Sequence, residues 1–195
     1  VDEAQRMQKA KGTRSLIENN AHKIEFRNVS FCYPNHKNEV LKNINFLISP
    51  GETVLLIGEN GAGKSTLLSL LNAFYDNYTG EIFVDDVNIK MLDPESLRRS
   101  ISMMFQGGTL MPLTLRDNVF CGNDMEENFS DFPWFQSLVK KYPKGMDTHM
   151  LTYMYSDGIE PSGGEIQRIK LMRAIAKKGS GIIVMDEPTS AIDPE

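Results

Sequence analysis

The chain has 195 residues, 41% hydrophobic and 24% charged, enough for one domain with a real core and room for an inserted sub-domain. Its 21 Lys+Arg against 26 Asp+Glu leave a formal charge of −5, which argues against a nucleic-acid binder, and no apolar run reaches the roughly 18 residues of a membrane span. Cys32 and Cys121 lie far apart and outside any C-x-x-C, so reduced thiols of a cytosolic protein are expected rather than a disulfide framework or a zinc site. The polypeptide by itself reads as soluble, and that is compatible with its being one piece of a membrane machine.

Residues 1 to about 22 are polar and mixed in charge and read as a linker, interrupted at Gly12 and Thr13. Ile24-Glu25-Phe26-Arg27 alternates and runs on into Val29-Ser30-Phe31-Cys32-Tyr33, which predicts a strand. Pro34 to Asn38 is a turn. Leu41 to Ile48, with Ile44, Phe46 and Ile48 in alternation, predicts a second strand. Thr53-Val54-Leu55-Leu56-Ile57 is an apolar run short enough to be one buried strand. It leads into Gly58-Glu59-Asn60-Gly61-Ala62-Gly63-Lys64-Ser65-Thr66, which fits G-x-x-x-x-G-K-[ST] at every fixed position. Leu67, Leu68, Leu70, Leu71 and Phe74 then make one helix face.

Strand, glycine-rich loop and helix together predict phosphate capture. The glycines let successive N–H groups point inward, and the new helix adds its positive end. Lys64 can reach the β- and γ-phosphates of a nucleotide, and Ser65 can ligate Mg²⁺.

Beyond that helix, Tyr78-Thr79-Gly80 breaks the chain, and Glu81-Ile82-Phe83-Val84 is a strand closed by Asp85-Asp86. Asp93-Pro94-Glu95 predicts an N-cap with proline at the first helical position. Ile101 to Phe105 is strand-like and ends at Gln106. From Gly107 to Glu160 the texture becomes that of an inserted helical sub-domain. Short helices begin at Thr114, where Thr-Leu-Arg-Asp resembles a capping box with Asp in place of Glu, and near Phe132. A helix from near Ser162 carries Leu171, Ala174 and Ile175 on its apolar face and stops at Lys177-Lys178-Gly179. Ile182-Ile183-Val184-Met185 is a buried strand leading into Asp186-Glu187. Carboxylates there suit a phosphate-loop enzyme, one to hold Mg²⁺ through water and the next to orient or deprotonate the attacking water.

The order of these elements, with Ser162-Gly163-Gly164-Glu165 followed by Gln167-Arg168, then Asp186-Glu187-Pro188 and Ser190-Ala191-Ile192-Asp193, resembles the ATPase domain of ATP-binding cassette (ABC) transporters over about residues 23 to 195. The resemblance implies an α/β fold. Its core would be that of a P-loop NTPase, a mixed, mainly parallel sheet flanked by helices, with an N-terminal antiparallel β sub-domain and an inserted α-helical sub-domain. It divides the chain into a linker from a membrane domain (1–22), the β sub-domain and first part of the core (23–106), the helical sub-domain (107–161), and the signature helix with the acidic strand and the following loop (162–195).

By the same resemblance, Gly58, Glu59, Asn60, Gly61, Ala62, Gly63, Lys64, Ser65 and Thr66 hold the phosphates of ATP and Tyr33 stacks on adenine. Gln106 senses Mg²⁺ and the attacking water, Asp186 and Ser65 serve the metal, and Glu187 is the general base. Ser162, Gly163 and Gly164 contact ATP held by a second ATPase domain, and Ser190 and Asp193 lie in the loop that crosses that interface. The implied partners are this second domain and the transmembrane part of a transporter, with no nucleic acid, at the cytoplasmic face of a membrane. Tyr142-Pro143-Lys144-Gly145-Met146-Asp147-Thr148 is similar to a run found in exporters. Asp186-Glu187-Pro188-Thr189 keeps an importer-type motor open, and a soluble ABC ATPase is a further alternative.

Three departures bear on activity. Pro161 and Glu165 flank the signature where the family usually has Leu and Gln, which leaves open a module without efficient hydrolysis. The stretch from Thr148 to Ser162 lacks the usual exporter text. None of His22, His36 and His149 stands where the family's switch histidine falls. The 195-residue chain is therefore expected to be C-terminally truncated and to turn over ATP slowly.

Overall fold

The computed structural model describes residues 12–18, 20–34, 36, 38–59, 61–104, 109–122 and 129–185. These fall into two compact units, one reaching to Ile101 and including Gly179–Ile182, the other made of Ser102–Lys178 with 183–185.

The first unit is built on a four-stranded sheet in the order β2-β1-β3-β4, with β1 at Ile24–Phe31, β2 at Leu41–Ile48, β3 at Thr79–Val84 and β4 at Val87–Asn88. All its pairings are antiparallel. On β1, Ile24, Phe26, Val29 and Phe31 are buried. The step from 26 to 29 is odd, so strict alternation would turn Val29 and Phe31 outward. A bulge corrects the phase: the register shifts between Phe26 and Val29, and Asn28 takes a φ of 51°. Its N–H donates to Asn45 Oδ1 at 2.8 Å. Gly80 of β3 faces this bulge, where a Cβ would lie 2.4 Å from the carbonyl oxygens of Arg27 and Asn28.

Helix α1 covers Lys64–Leu71 and α2 covers Pro94–Ser100. Asp93 caps α2 as its sequence predicts, accepting the Ser96 N–H at 2.8 Å. Residues 12–18 and 20–22, whose composition reads as a linker, run along this unit. The Leu16 N–H donates to Ser96 Oγ at 2.9 Å, Asp93 N–H donates to the Arg14 carbonyl at 2.8 Å, and buried His22 meets Asp85 at 2.7 Å.

Thr53 to Ile57 departs from its expected strand. Leu55 is 80% and Ile57 85% exposed, and among the described residues no strand pairs with the run. Apolar content favours burial, but a strand exists only through ladder hydrogen bonds to neighbours. The described part of the expected core sheet is the two-stranded pair of β5 (Ile101–Met104) and β6 (Ile182–Met185).

The second unit holds α3 (Leu115–Phe120), α4 (Pro133–Lys141) and α5 (Gly163–Ala176) around a core that includes Leu115, Phe135, Met150 and Ile169. The capping box at Thr114 forms: Thr114 Oγ accepts the Asp117 N–H at 3.1 Å and Asp117 accepts back from Thr114 N–H at 3.2 Å. Asn118 is fully buried and fully engaged. Its Oδ1 accepts from Met111 N–H at 2.8 Å and Arg173 Nη2 at 3.0 Å, and its Nδ2 donates to the carbonyls of Met111 and Thr114. That network joins α3 to α5. The run from Tyr142 to Thr148 is a packed turn, with Tyr142, Met146 and Thr148 buried and Thr148 Oγ1 accepting from the Lys144 N–H at 3.0 Å.

Phe135 is fully buried, with the Phe129 ring at 4.9 Å. Phe135→Ala removes a fully buried ring from this core, and a loss of about 3–5 kcal/mol is expected in urea unfolding monitored by circular dichroism.

Candidate functional site

The loop Gly58–Thr66 lies in the first unit, with Asn60 outside the described residues. At Gly63 the backbone has a φ of 90°, and a Cβ would stand 2.7 Å from Leu41 Cδ2 and 3.2 Å from the Val40 carbonyl. Glycine alone allows the loop to turn into α1 so close to the start of β2. Helix α1 then opens with no side-chain cap and no acid in its first turn. By contrast, α2, α3 and α5 each have a side-chain cap and an acidic first-turn residue. An N-terminus left in that state presents free N–H groups and the positive end of the helix to an anion.

Lys64 folds over the loop and donates to the carbonyls of Gly58 at 2.6 Å and Glu59 at 2.9 Å. Those neutral acceptors are weaker partners than phosphate oxygens, so the ammonium can exchange to an incoming nucleotide. Ser65 is exposed, so its first-turn hydroxyl is open to a phosphate-bound Mg²⁺. Thr66 is buried, and its Oγ1 shares a 2.8 Å hydrogen bond with Tyr33 OH. The Tyr33 ring meets Phe31 and Tyr75 edge-on, at centroid distances of 5.0 and 5.5 Å. The structure therefore brings Tyr33 to the phosphate loop and fixes its ring by Thr66, expected only to serve the phosphates, and by Tyr75, which the sequence did not point to.

Ser162, Gly163 and Gly164 open α5 in the second unit. Ser162 Oγ accepts from the Glu165 N–H at 3.3 Å, and Glu165 Oε2 accepts from the Ser162 N–H at 2.8 Å, a capping box. Burial works to raise the Glu165 pKa, but the hydrogen bonds from Lys141 and from Ser162 outweigh it and hold the carboxyl below its ordinary value of 4.5. The S-x-x-E spacing carried the signal for this box. Gln106, Asp186, Glu187, Ser190 and Asp193 lie outside the described residues. Among the described residues no helix is long and apolar enough to cross a membrane.

Comparison with known proteins gives a consistent answer. The sequence profile of the ABC transporter family matches residues 41–190. The chain is 36% identical over 181 residues to multidrug resistance protein pgp-1 of Caenorhabditis elegans, covering 89% of this chain and 13% of that protein. It is 35% identical over 195 residues to the subtilin transport ATP-binding protein SpaT of Bacillus subtilis, covering 96% and 31%. It is 36% identical over 180 residues to an ATP-dependent lipid A-core flippase of Pseudomonas putida, covering 89% and 29%. Among solved structures, a bacterial Atm1-family ABC exporter with ATP bound superposes with a TM-score of 0.78 at 30% identity, over 95% of this chain and 32% of that one. The chain thus spans no more than 32% of the length of these relatives.

Two outcomes follow from the site. Lys64→Ala should weaken ATP binding about tenfold to a hundredfold, the worth of one charge-assisted hydrogen bond, as read by titration with a fluorescent ATP analogue. The depressed Glu165 carboxyl stabilises the fold fully above about pH 4.5, and that contribution is lost as pH falls through the lower folded value. In unfolding measured from pH 7 downward, Glu165→Gln should therefore lose less stability on acidification than the parent.

Proposed function

The chain belongs to the ABC transporter family, and on that premise we propose that it is the ATP-binding and hydrolysing motor domain of an exporter, working as one of a pair clamped around ATP. The observation that carries the reading is the uncapped start of α1 behind Gly63, with Lys64 over the loop and Tyr33 tied to Thr66. One small region offers N–H donors, an ammonium and an aromatic ring, which matches a triphosphate joined to a flat base. Relatives named for multidrug resistance, for subtilin transport and for a lipid A-core flippase share this domain. That supports a common motor, with cargo recognition residing elsewhere in the transporter.

In this mechanism the first N–H groups of α1 and Lys64 hold the β- and γ-phosphates, and Tyr33 orients the base. Mg²⁺, when bound, neutralises charge on the phosphates, with the Ser65 hydroxyl, Gln106 and Asp186 as its protein partners. Glu187 takes a proton from the attacking water, and Gln106 holds that water in line. Ser162, Gly163 and Gly164 close the site from the second domain. Hydrolysis lets the two domains part, and the transmembrane part follows, with this domain on the cytoplasmic side. Glu165 is engaged at its own helix end, which favours a working signature over a degenerate module.

Glu187→Gln in the complete protein should cut ATP turnover by about 10²- to 10⁴-fold, the usual worth of a general base, while ATP-dependent pairing of the domains survives. Size-exclusion chromatography with ATP and Mg²⁺ tests the pairing, and a variant that neither pairs nor hydrolyses would defeat the clamp reading.

A further inference from the structure

Lys141, the last residue of α4, belongs to no motif in the sequence. In the fold it reaches the signature loop: its Nζ lies 2.5 Å from Glu165 Oε1, while Oε2 of the same carboxylate accepts the Ser162 N–H at 2.8 Å. The carboxylate is thus divided between a helix end and an ammonium. Its side chain is only 12% exposed, whereas that of Lys141 is 68% exposed.

This arrangement bears on what the start of α5 can bind. The Ser162 N–H is already used by Glu165. An incoming phosphate is left with the Ser162 hydroxyl proton and the N–H groups of Gly163 and Gly164, which lie in a first turn and lack intrahelical acceptors. The Glu165 carboxylate stands immediately behind those donors. Unbalanced, it would oppose any anion there and cancel the positive end of the helix. Tyr142, the neighbour of Lys141, adds no further negative charge: its hydroxyl is buried, and burial followed by the Glu165 carboxylate pushes its pKa up, so it stays neutral.

We infer that Lys141 is a positioning and charge-balancing residue for the signature loop, making the Ser162–Gly164 turn fit for the terminal phosphate of a nucleotide despite Glu165. This rests on the reading of that turn as the second half of the ATP site. The ammonium draws one carboxylate oxygen toward α4 and offsets its charge, and the other oxygen completes the cap. The loop keeps its shape while its charge is brought near neutral.

The test is a set of variants in the complete protein, with steady-state ATPase kinetics and ATP-dependent pairing as readouts. Lys141→Ala should raise KM for ATP about tenfold with kcat changed less than about twofold, the effect of exposing one partly screened charge. Lys141→Arg should stay close to the parent. Glu165→Gln keeps a side chain able to close the capping box, and it should bind ATP at least as well as the parent. The decisive variant is Lys141→Ala with Glu165→Gln: charge balancing requires that removing the carboxylate rescues KM to within about twofold of Glu165→Gln alone. A pair that matters only to stability gives the opposite result, with no rescue in the double variant and with KM and thermal unfolding shifting together, and that overturns the inference. Gly163→Asp separates the two readings. If it leaves ATP-dependent pairing intact, the turn is not a phosphate site, and the inference fails with that reading. If it abolishes pairing while Lys141→Ala leaves KM within about twofold of the parent, this inference alone is overturned.

Discussion

The constraint on which the phosphate loop depends is the missing side chain at Gly63. A Cβ there would crowd Leu41 Cδ2 and the Val40 carbonyl, and the φ of 90° would strain any residue with a side chain. Because the contact is with β2, the loop inherits its place from the antiparallel sheet. β2 is fixed to β1 by the pairing of Phe26 with Phe46 and of Ile24 with Ile48. β1 in turn ends at Phe31, two residues before Tyr33, and the Phe31 ring packs against both Tyr33 and Tyr75. Tyr33 then returns to the loop through Thr66. Tyr33 and the glycine-rich loop are therefore set by one sheet, and the bulge at Asn28 is what keeps Phe31 on the buried face.

Helix ends distribute charge through both units. Asp93 with Glu95, Thr114 with Asp117, and Ser162 with Glu165 close the N-termini of α2, α3 and α5. These closures stabilise the helices, and each acidic first-turn residue answers part of the positive end of its helix. α1 is left open, with Lys64 at its first position.

Local features were the legible ones. The N-caps at Asp93 and Thr114, the start of α5 at Ser162 and the phosphate loop itself are all written within a few residues, because their hydrogen bonds close within one helical turn. The strand expected at 53–57 fails for the complementary reason: a strand needs ladder partners from elsewhere in the chain, and hydropathy does not specify them. The Tyr33–Thr66 bond and the Lys141–Glu165 pair span 33 and 24 residues, so no window of sequence displays them. Glu165 is the instructive case. As a departure from the family's usual Gln it reads as a charge that would repel phosphate, yet its spacing from Ser162 is that of a capping box, and the local rule describes where the side chain goes.

The two helix ends assigned to nucleotide differ in what they offer, and that difference bears on how a clamp can work. α1 combines an uncapped start with an ammonium held by two neutral carbonyls, partners it could exchange for a triphosphate within one unit. α5 offers a turn whose helical charge is partly answered by its own carboxylate and whose carboxylate is answered by Lys141. Such an end gains little from an anion alone and more from one presented in a fixed geometry, since what remains to it is two N–H groups and a hydroxyl. Firm binding at the first end and conditional binding at the second is the order a clamp needs. Under the clamp reading proposed above, nucleotide would load onto one domain before the second engages, and loss of the terminal phosphate would remove the weaker contact first.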